Sequence, residues 1–155
     1  MALYISSELM QQIQAHGEAA YPEEGAGLLL GLARQADRHV FDLQVFDNAR
    51  EDGARHNRYL LTSQDYLAGE LEAARLGLSV IGVFHSHPDH PDRPSDFDRE
   101  WAMPWFSYII TSVQSGRAVS SWSWHLKDDR SQFEEELIQI TDGTLAQLSD
   151  DKQAR

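Results

Sequence analysis

His85 and His87 stand at the end of the run Val80-Ile81-Gly82-Val83-Phe84, and Pro88 follows them. The run is apolar and β-branched, the mark of a buried strand. Side chains on a strand alternate faces, so the two imidazoles point to one side and at that spacing can share a metal ion. Ser95 and Asp98 come next, after a polar loop carrying Pro91 and Pro94. Ser95-Asp96 has the form of a helix start, and residues three apart lie on one helical face. Both can therefore aim back at the histidines. Two neutral imidazoles and one carboxylate make a three-ligand zinc site with one position open, which would bring the pKa of a bound water to about 7. Ser95 lies near enough to donate a hydrogen bond to a developing oxyanion. Ser95 and Asp98 also fit an N-cap and an acidic third helical position, a purely structural role. That role leaves two histidines at the end of an apolar strand unexplained.

The part missing from this set is a general base. Upstream, Glu23 and Glu24 precede Gly25-Ala26-Gly27-Leu28-Leu29-Leu30-Gly31. Gly27 to Leu32 reads as a buried strand opened by small residues, whose glycines allow close backbone approach or a bulge. A carboxylate just before such a strand is held near the edge of the core, where it could face a water at the metal. Taken alone, without the histidines, the two glutamates read as a solvated pair at an element boundary.

The rest of the composition narrows the function classes. The chain has 155 residues, 41% of them hydrophobic, enough for one domain with a real core. It carries 25 acidic against 13 basic residues, a formal charge of -12. That balance disfavours binding to nucleic-acid phosphates or an anionic membrane surface. Cysteine is absent, which excludes disulfides and thiolate metal sites. No apolar run approaches the roughly 20 residues of a membrane span, and Met1-Ala2-Leu3-Tyr4-Ile5 lacks a signal-like start. A cytoplasmic location is expected.

Along the chain, Leu3 to Ile5 suggests a short strand. Ser6 or Ser7 caps a helix through Leu9, Met10 and Ile13, with His16 on its surface. His39 to Phe46 alternates as a strand, Asp47 to Asn57 is a polar loop, and Arg58 to Leu61 is a short strand. Thr62 or Ser63 caps a helix ended by Gly77. Leu78 to Phe84 is the central strand, Asp96 to Met103 a short helix stopped before Pro104. Trp105 to Val113 holds a strand, Gln114-Ser115-Gly116 turns, and Arg117 to Leu126 returns as a strand. Trp122 and Trp124 share a face there and are expected to pack in the core; His125 falls on the other face. Asp129 to Ile140, with Phe133, Leu137, Ile138 and Ile140, is expected to be an amphipathic helix, and residues 142–155 a frayed tail after a single domain at 1–141. The element order gives an α/β sandwich with a mixed, mostly antiparallel sheet flanked by helices, not a doubly wound one. No glycine-rich phosphate loop supports a nucleotide cofactor.

The run His85-Ser86-His87-Pro88, six residues, Ser95, two residues, Asp98 resembles the JAMM motif of the MPN+ (Mov34/MPN/PAD-1) zinc metalloproteases. The upstream segment is similar to the one in which that family places its catalytic glutamate. Its pattern of Pro, any residue and Glu, with Leu-x-Gly closing the strand, falls on Pro22, Glu24 and Leu29 to Gly31, and so selects Glu24 over Glu23. The resemblance covers residues from about 3 to about 125.

It implies the MPN, cytidine-deaminase-like α/β sandwich, with one zinc ion held by His85, His87 and Asp98 together with a catalytic water. Glu24 would be the general base and then pass the proton to the leaving amine, and Ser95 would stabilise the oxyanion. The family cleaves peptide or isopeptide bonds after the C-terminal glycine of ubiquitin-like proteins. Its short bacterial members, which this chain resembles most, act on β-grasp sulfur-carrier proteins with a Gly-Gly tail. The sequence departs from many of these at Gly25 or Ala26, where they carry cysteine, and it lacks the insertions that confer polyubiquitin linkage choice. The expected substrate is thus a ubiquitin-like or sulfur-carrier protein, its tail extended beside a sheet edge. The loops Asp47 to Asn57 and Asp89 to Pro94 would form the walls, with Asp89, His90 and Asp92 solvated. The alternatives are a non-catalytic MPN interaction scaffold and a zinc amidohydrolase acting on small molecules.

Overall fold

The structure is a computed structural model that describes residues 1–46 and 61–142. Its elements run β1 (Ala2–Ile5), α1 (Ser7–Ala20), β2 (Ala26–Arg34), β3 (Asp37–Phe46), α2 (Ser63–Arg75), β4 (Ser79–Pro88), α3 (Asp96–Trp101), β5 (Ser107–Gln114), β6 (Arg117–Leu126) and β7 (Phe133–Ile140). The strands form one mixed sheet in the order β1-β3-β2-β4-β5-β6-β7, closed on itself because β7 pairs with β1. β4 runs parallel to β5, and β1 runs parallel to both β3 and β7; the other neighbours are antiparallel. This is the mixed, helix-flanked α/β architecture expected from the sequence. The expected loop at 47–57, most of the short strand at 58–61 and the tail from 143 lie outside the described residues.

Alternation along the strands sorts the core to the two faces of the sheet. Leu29, Phe84 and Ile109 pack with Leu3, Ile5 and Ile13 under α1. Leu28, Leu30, Val83, Tyr108 and Ile110 pack with Ala73 of α2 on the other face. A bulge where β2 meets β4, with Leu29 opposite Gly82 and Leu30 opposite Val80, leaves Ile81 as the extra residue. It sets the facing of the strand beyond it, so that His85 and His87 follow Val83 onto the α2 side. The glycines of β2 answer close approach: a Cβ at Gly27 would collide with the Phe84 ring, and one at Gly31 with the His39 carbonyl.

The helices begin where hydrogen-bonding side chains allow. The Ser6 hydroxyl accepts from the Leu9 amide at 3.1 Å, and Thr62 forms a capping box with Asp65. His16 is not a surface residue of α1: its ring stands edge-on to Phe84 at 5.9 Å and abuts Gly25.

The segment expected as a C-terminal helix is a strand, β7. Its apolar residues at 133, 137, 138 and 140 mimic helical spacing, yet Leu137 and Ile140 are exposed. The inward positions are taken by Ile138 and by Glu136, which is 0% exposed. Glu136 accepts from the Ser123 hydroxyl at 2.7 Å and lies 3.7 Å from the Arg38 guanidinium. A buried carboxylate and an exposed leucine invert the strand alternation that periodicity depends on.

Candidate metal centre

β4 carries His85 and His87 on its α2 face, both buried at 1% and 6% exposure. β2 approaches from one side, with Ala26 opposite His85, and β5 from the other, with Ile110 opposite His85. Glu24 lies two residues before Ala26 and is 4% exposed. Its segment is fastened between the histidines: the Gly25 amide donates to the Ser86 hydroxyl at 2.8 Å, and the Ser86 amide donates to the Gly25 carbonyl at 3.0 Å. Asp98, 5% exposed, arrives from α3.

The donor atoms converge. His85 Nε2 lies 3.2 Å from His87 Nε2 and 3.3 Å from Asp98 Oδ1, and His87 Nε2 lies 3.2 Å from Asp98 Oδ2. Donors around a tetrahedral zinc with bonds of about 2.0–2.1 Å sit roughly 3.3–3.4 Å apart. The three side chains therefore form a group that could bind a metal, with the two imidazole nitrogens near that separation and each carboxylate oxygen facing one of them. Glu24 Oε1 stands 4.0 Å from His87 Nε2, beside the donors rather than among them.

The surroundings prepare these groups. The Pro91 carbonyl lies 2.7 Å from His87 Nδ1, where it accepts that nitrogen's proton and leaves the Nε2 lone pair facing the group. Burial pushes the His85 imidazole below its ordinary pKa, favouring the neutral form a metal requires. Burial alone would raise the Asp98 carboxyl; the adjacent His85 and His87 outweigh it and hold the carboxyl well below the usual carboxylate range. Ser95 is exposed beside Asp98. Its hydroxyl oxygen accepts from the Asp98 amide at 3.0 Å, and its own amide donates to Asp98 Oδ2 at 2.8 Å. The capping box and the candidate site are thus built from the same two residues, so the structural and chemical readings of Ser95 and Asp98 coexist.

In the loop after β4, Asp89 and His90 are exposed as expected, but Asp92 is buried and the backbone is tied down. Its successive carbonyls are each captured: His90 by the Ser112 hydroxyl at 2.7 Å, Pro91 by His87, and Asp92 by the Trp124 indole at 2.9 Å. Asp92 is buried, and Asp89 accepts from the Tyr21 hydroxyl at 2.6 Å and the Ser115 amide at 2.8 Å. Asp89, His90, Pro91 and Arg93 remain exposed. The two tryptophans part company as well. Trp124 is buried, whereas Trp122 is 44% exposed and ends the cross-strand row Ala26, His85, Ile110, Trp122. Ser112 and Trp124 escaped the sequence reading as contributors to the site. The available signal was that a buried indole N–H needs an acceptor.

A family model described as prokaryotic homologs of the JAB domain matches residues 6–126. The chain belongs to this prokaryotic JAB family. A relative in Thermus thermophilus, named "Probable TtuB-protein conjugate cleaving protease", is 29% identical over 121 residues, covering 76% of this chain and 75% of that protein. Among solved structures, one protein from Salinibacter ruber is 43% identical with a TM-score of 0.71, covering 92% of each chain. One from Desulfitobacterium hafniense is 27% identical with a TM-score of 0.80, covering 93% of this chain and 96% of its own. A JAB1/MPN domain protein from Archaeoglobus fulgidus, 18% identical with a TM-score of 0.53 over 91% of this chain and 100% of its own, shares the fold. The JAB match contains Glu24, His85, His87, Ser95 and Asp98, and ends where β6 ends.

Proposed function

We propose that this chain is a JAMM-type zinc metallopeptidase that hydrolyses the peptide or isopeptide bond after the C-terminal glycine of a ubiquitin-like or sulfur-carrier β-grasp protein. The observation that carries the hydrolytic reading is the convergence of His85, His87 and Asp98 on one buried point, with the buried Glu24 Oε1 4.0 Å from His87 Nε2. The substrate class is supported by the resemblance noted in the sequence and by the Thermus relative, whose name is that of a protease cleaving protein conjugates.

His85, His87 and Asp98 would hold the zinc. When bound, the ion supplies a Lewis acid and brings the pKa of a water to about 7. Glu24 takes the proton of the attacking water as general base and returns it to the leaving amine, so one water and one amide become a carboxylate and an amine. The Ser95 oxygen is engaged as an acceptor by the Asp98 amide, which leaves its proton free to donate to the oxyanion. The low basicity of Asp98 and the neutral His85 keep the donor set ready at neutral pH.

The deciding comparison is wild type against Glu24→Gln, each assayed for bound zinc and for cleavage of a β-grasp carrier extended beyond its Gly-Gly. One zinc in both, with cleavage only by wild type and a loss of about 10²–10⁴-fold in the variant, is the expected result. Zinc in both with no cleavage by either removes the carrier as substrate. No zinc after reconstitution removes the metal centre and leaves an interaction scaffold.

A further inference from the structure

α3 raises a question of mechanics. It has six residues, and the residue it buries is Asp98 itself. Isolated helices much shorter than about 12 residues are marginal in water, and a helix whose buried group is a carboxylate gains little from apolar packing. Its partly buried Phe97 meets Trp101 at 6.1 Å within the same helix. Apolar packing is strongest just after the helix, at Ala102 and Met103, so polar contacts along the helix itself bear on where the third donor sits.

The start of α3 is closed by the Ser95–Asp98 capping box. Its end is held from a distant part of the chain. Arg130, in the turn between β6 and β7, donates to the Ala102 carbonyl at 2.7 Å, the Arg99 carbonyl at 2.9 Å and the Glu100 carbonyl at 3.0 Å. The last carbonyls of a helix lack intrahelical partners and carry partial negative charge, and a guanidinium fork matches several of them at once. The contact is reciprocal, because Arg99 reaches back to the Ser131 carbonyl at 3.0 Å. Ala102, which Arg130 grips, in turn donates its amide to the Asp98 carbonyl at 2.9 Å. A further bond, from the Met103 amide to the Tyr108 hydroxyl at 2.7 Å, fixes the exit of the helix to β5.

We propose that Arg130 is a positioning residue for the metal centre: by gripping the C-terminal carbonyls of α3 it sets Asp98 against His85 and His87, and metal affinity depends on it. The inference rests on the metal reading above and goes beyond it, since Arg130 lies outside the motif and outside the span matched by the family model. Arginine is required because lysine offers a single point of charge and cannot span three carbonyls.

The test is zinc affinity, measured by competition with a chromogenic chelator on full-length protein, beside thermal melts of the metal-free forms. Arg130→Ala should bind zinc about 10–100-fold more weakly, the usual effect of removing an outer-shell partner, and Arg130→Lys should recover part of that loss. Lys127→Ala is the control on the same turn; it removes the 3.7 Å pair with Glu134 but touches no carbonyl of α3, and should keep wild-type affinity. Wild-type affinity in Arg130→Ala overturns the inference alone, as does an equal loss in Lys127→Ala, which would mean that the turn acts only through general stability. If Arg130→Ala does not fold, Arg130→Lys decides: weakened binding supports the inference and unchanged binding overturns it. Absence of zinc from the wild type overturns the metal reading and this inference together.

Discussion

Asp98 uses one carboxylate for two purposes. Oδ2 accepts from the Ser95 amide, and both oxygens face the imidazoles of His85 and His87. The cost of holding these groups together without a metal is visible in their proton affinities. Both His85 and Asp98 bind protons more weakly in the folded chain than in the unfolded one. Stability of the metal-free protein must therefore fall as pH falls. The loss begins near pH 6.5, where an unfolded histidine takes up its proton, and steepens below about pH 4, where an unfolded aspartate does. The melting temperature of chelator-treated protein should decline between pH 7.5 and 5, and His85→Gln should flatten that upper part of the decline. A wild-type curve level across the same interval would contradict the assignment. Glu24, by contrast, could be chosen over Glu23 only through a family pattern, because the two neighbouring carboxylates have the same chemistry. What distinguishes them is the pairing of Gly25 with Ser86, a contact between residues far apart in the chain.

At the scale of elements, α3 separates what a cap does from what a catalytic hydroxyl does. Glycine is nearly as good an N-cap as serine, costing a few tenths of a kcal/mol, whereas alanine costs about 1 kcal/mol. Ser95→Gly should therefore melt within a degree or two of wild type while its turnover of a carrier substrate drops about 10²–10³-fold, the range for loss of an oxyanion donor. A matching loss of stability and turnover would reduce Ser95 to its cap. The α3 start was legible because capping is local, read from Ser95 to Asp98. β4 was legible because its apolar run is continuous, and α1 and α2 because their stripes and caps agree. β7 was not, since Glu136 is buried by partners on β3 and β6 and Leu137 is left outside. In the loop from Asp89 to Pro94 the burial of Asp92 was not legible for a related reason. The loop's polar sequence suits solvent, but its carbonyls are claimed by Ser112, His87 and Trp124, each on a strand whose position only the assembled sheet defines.

For the whole molecule, the join between β7 and β1 turns a sheet with two edges into a closed one. Arg38 and Glu136 bridge that join from β3 to β7, and Arg38 also donates to the Trp105 carbonyl at 2.7 Å. Removing Glu136 takes the acceptor from the buried Ser123 hydroxyl and the counter-charge from the half-buried Arg38, at about 1–3 kcal/mol. Glu136→Ala should therefore destabilise the protein by about that amount, read from urea denaturation. Replacing both members together, as Arg38→Met with Glu136→Leu, should cost less. If the single and double replacements cost the same, the pair contributes nothing specific to closure.

The join also orders events during synthesis. Glu24 through Asp98 are synthesised before Phe133 to Ile140, so every proposed metal donor precedes the strand that gives β1 its second neighbour. During that interval the nascent chain presents unpaired strand edges, the feature that invites pairing with other chains. The turn bearing Arg130 is translated in the same late stretch as β7. Completion of the sheet and the grip of Arg130 on the helix carrying Asp98 therefore belong to one late stretch of translation, and a chain released just after β6 would carry the proposed metal donors without either.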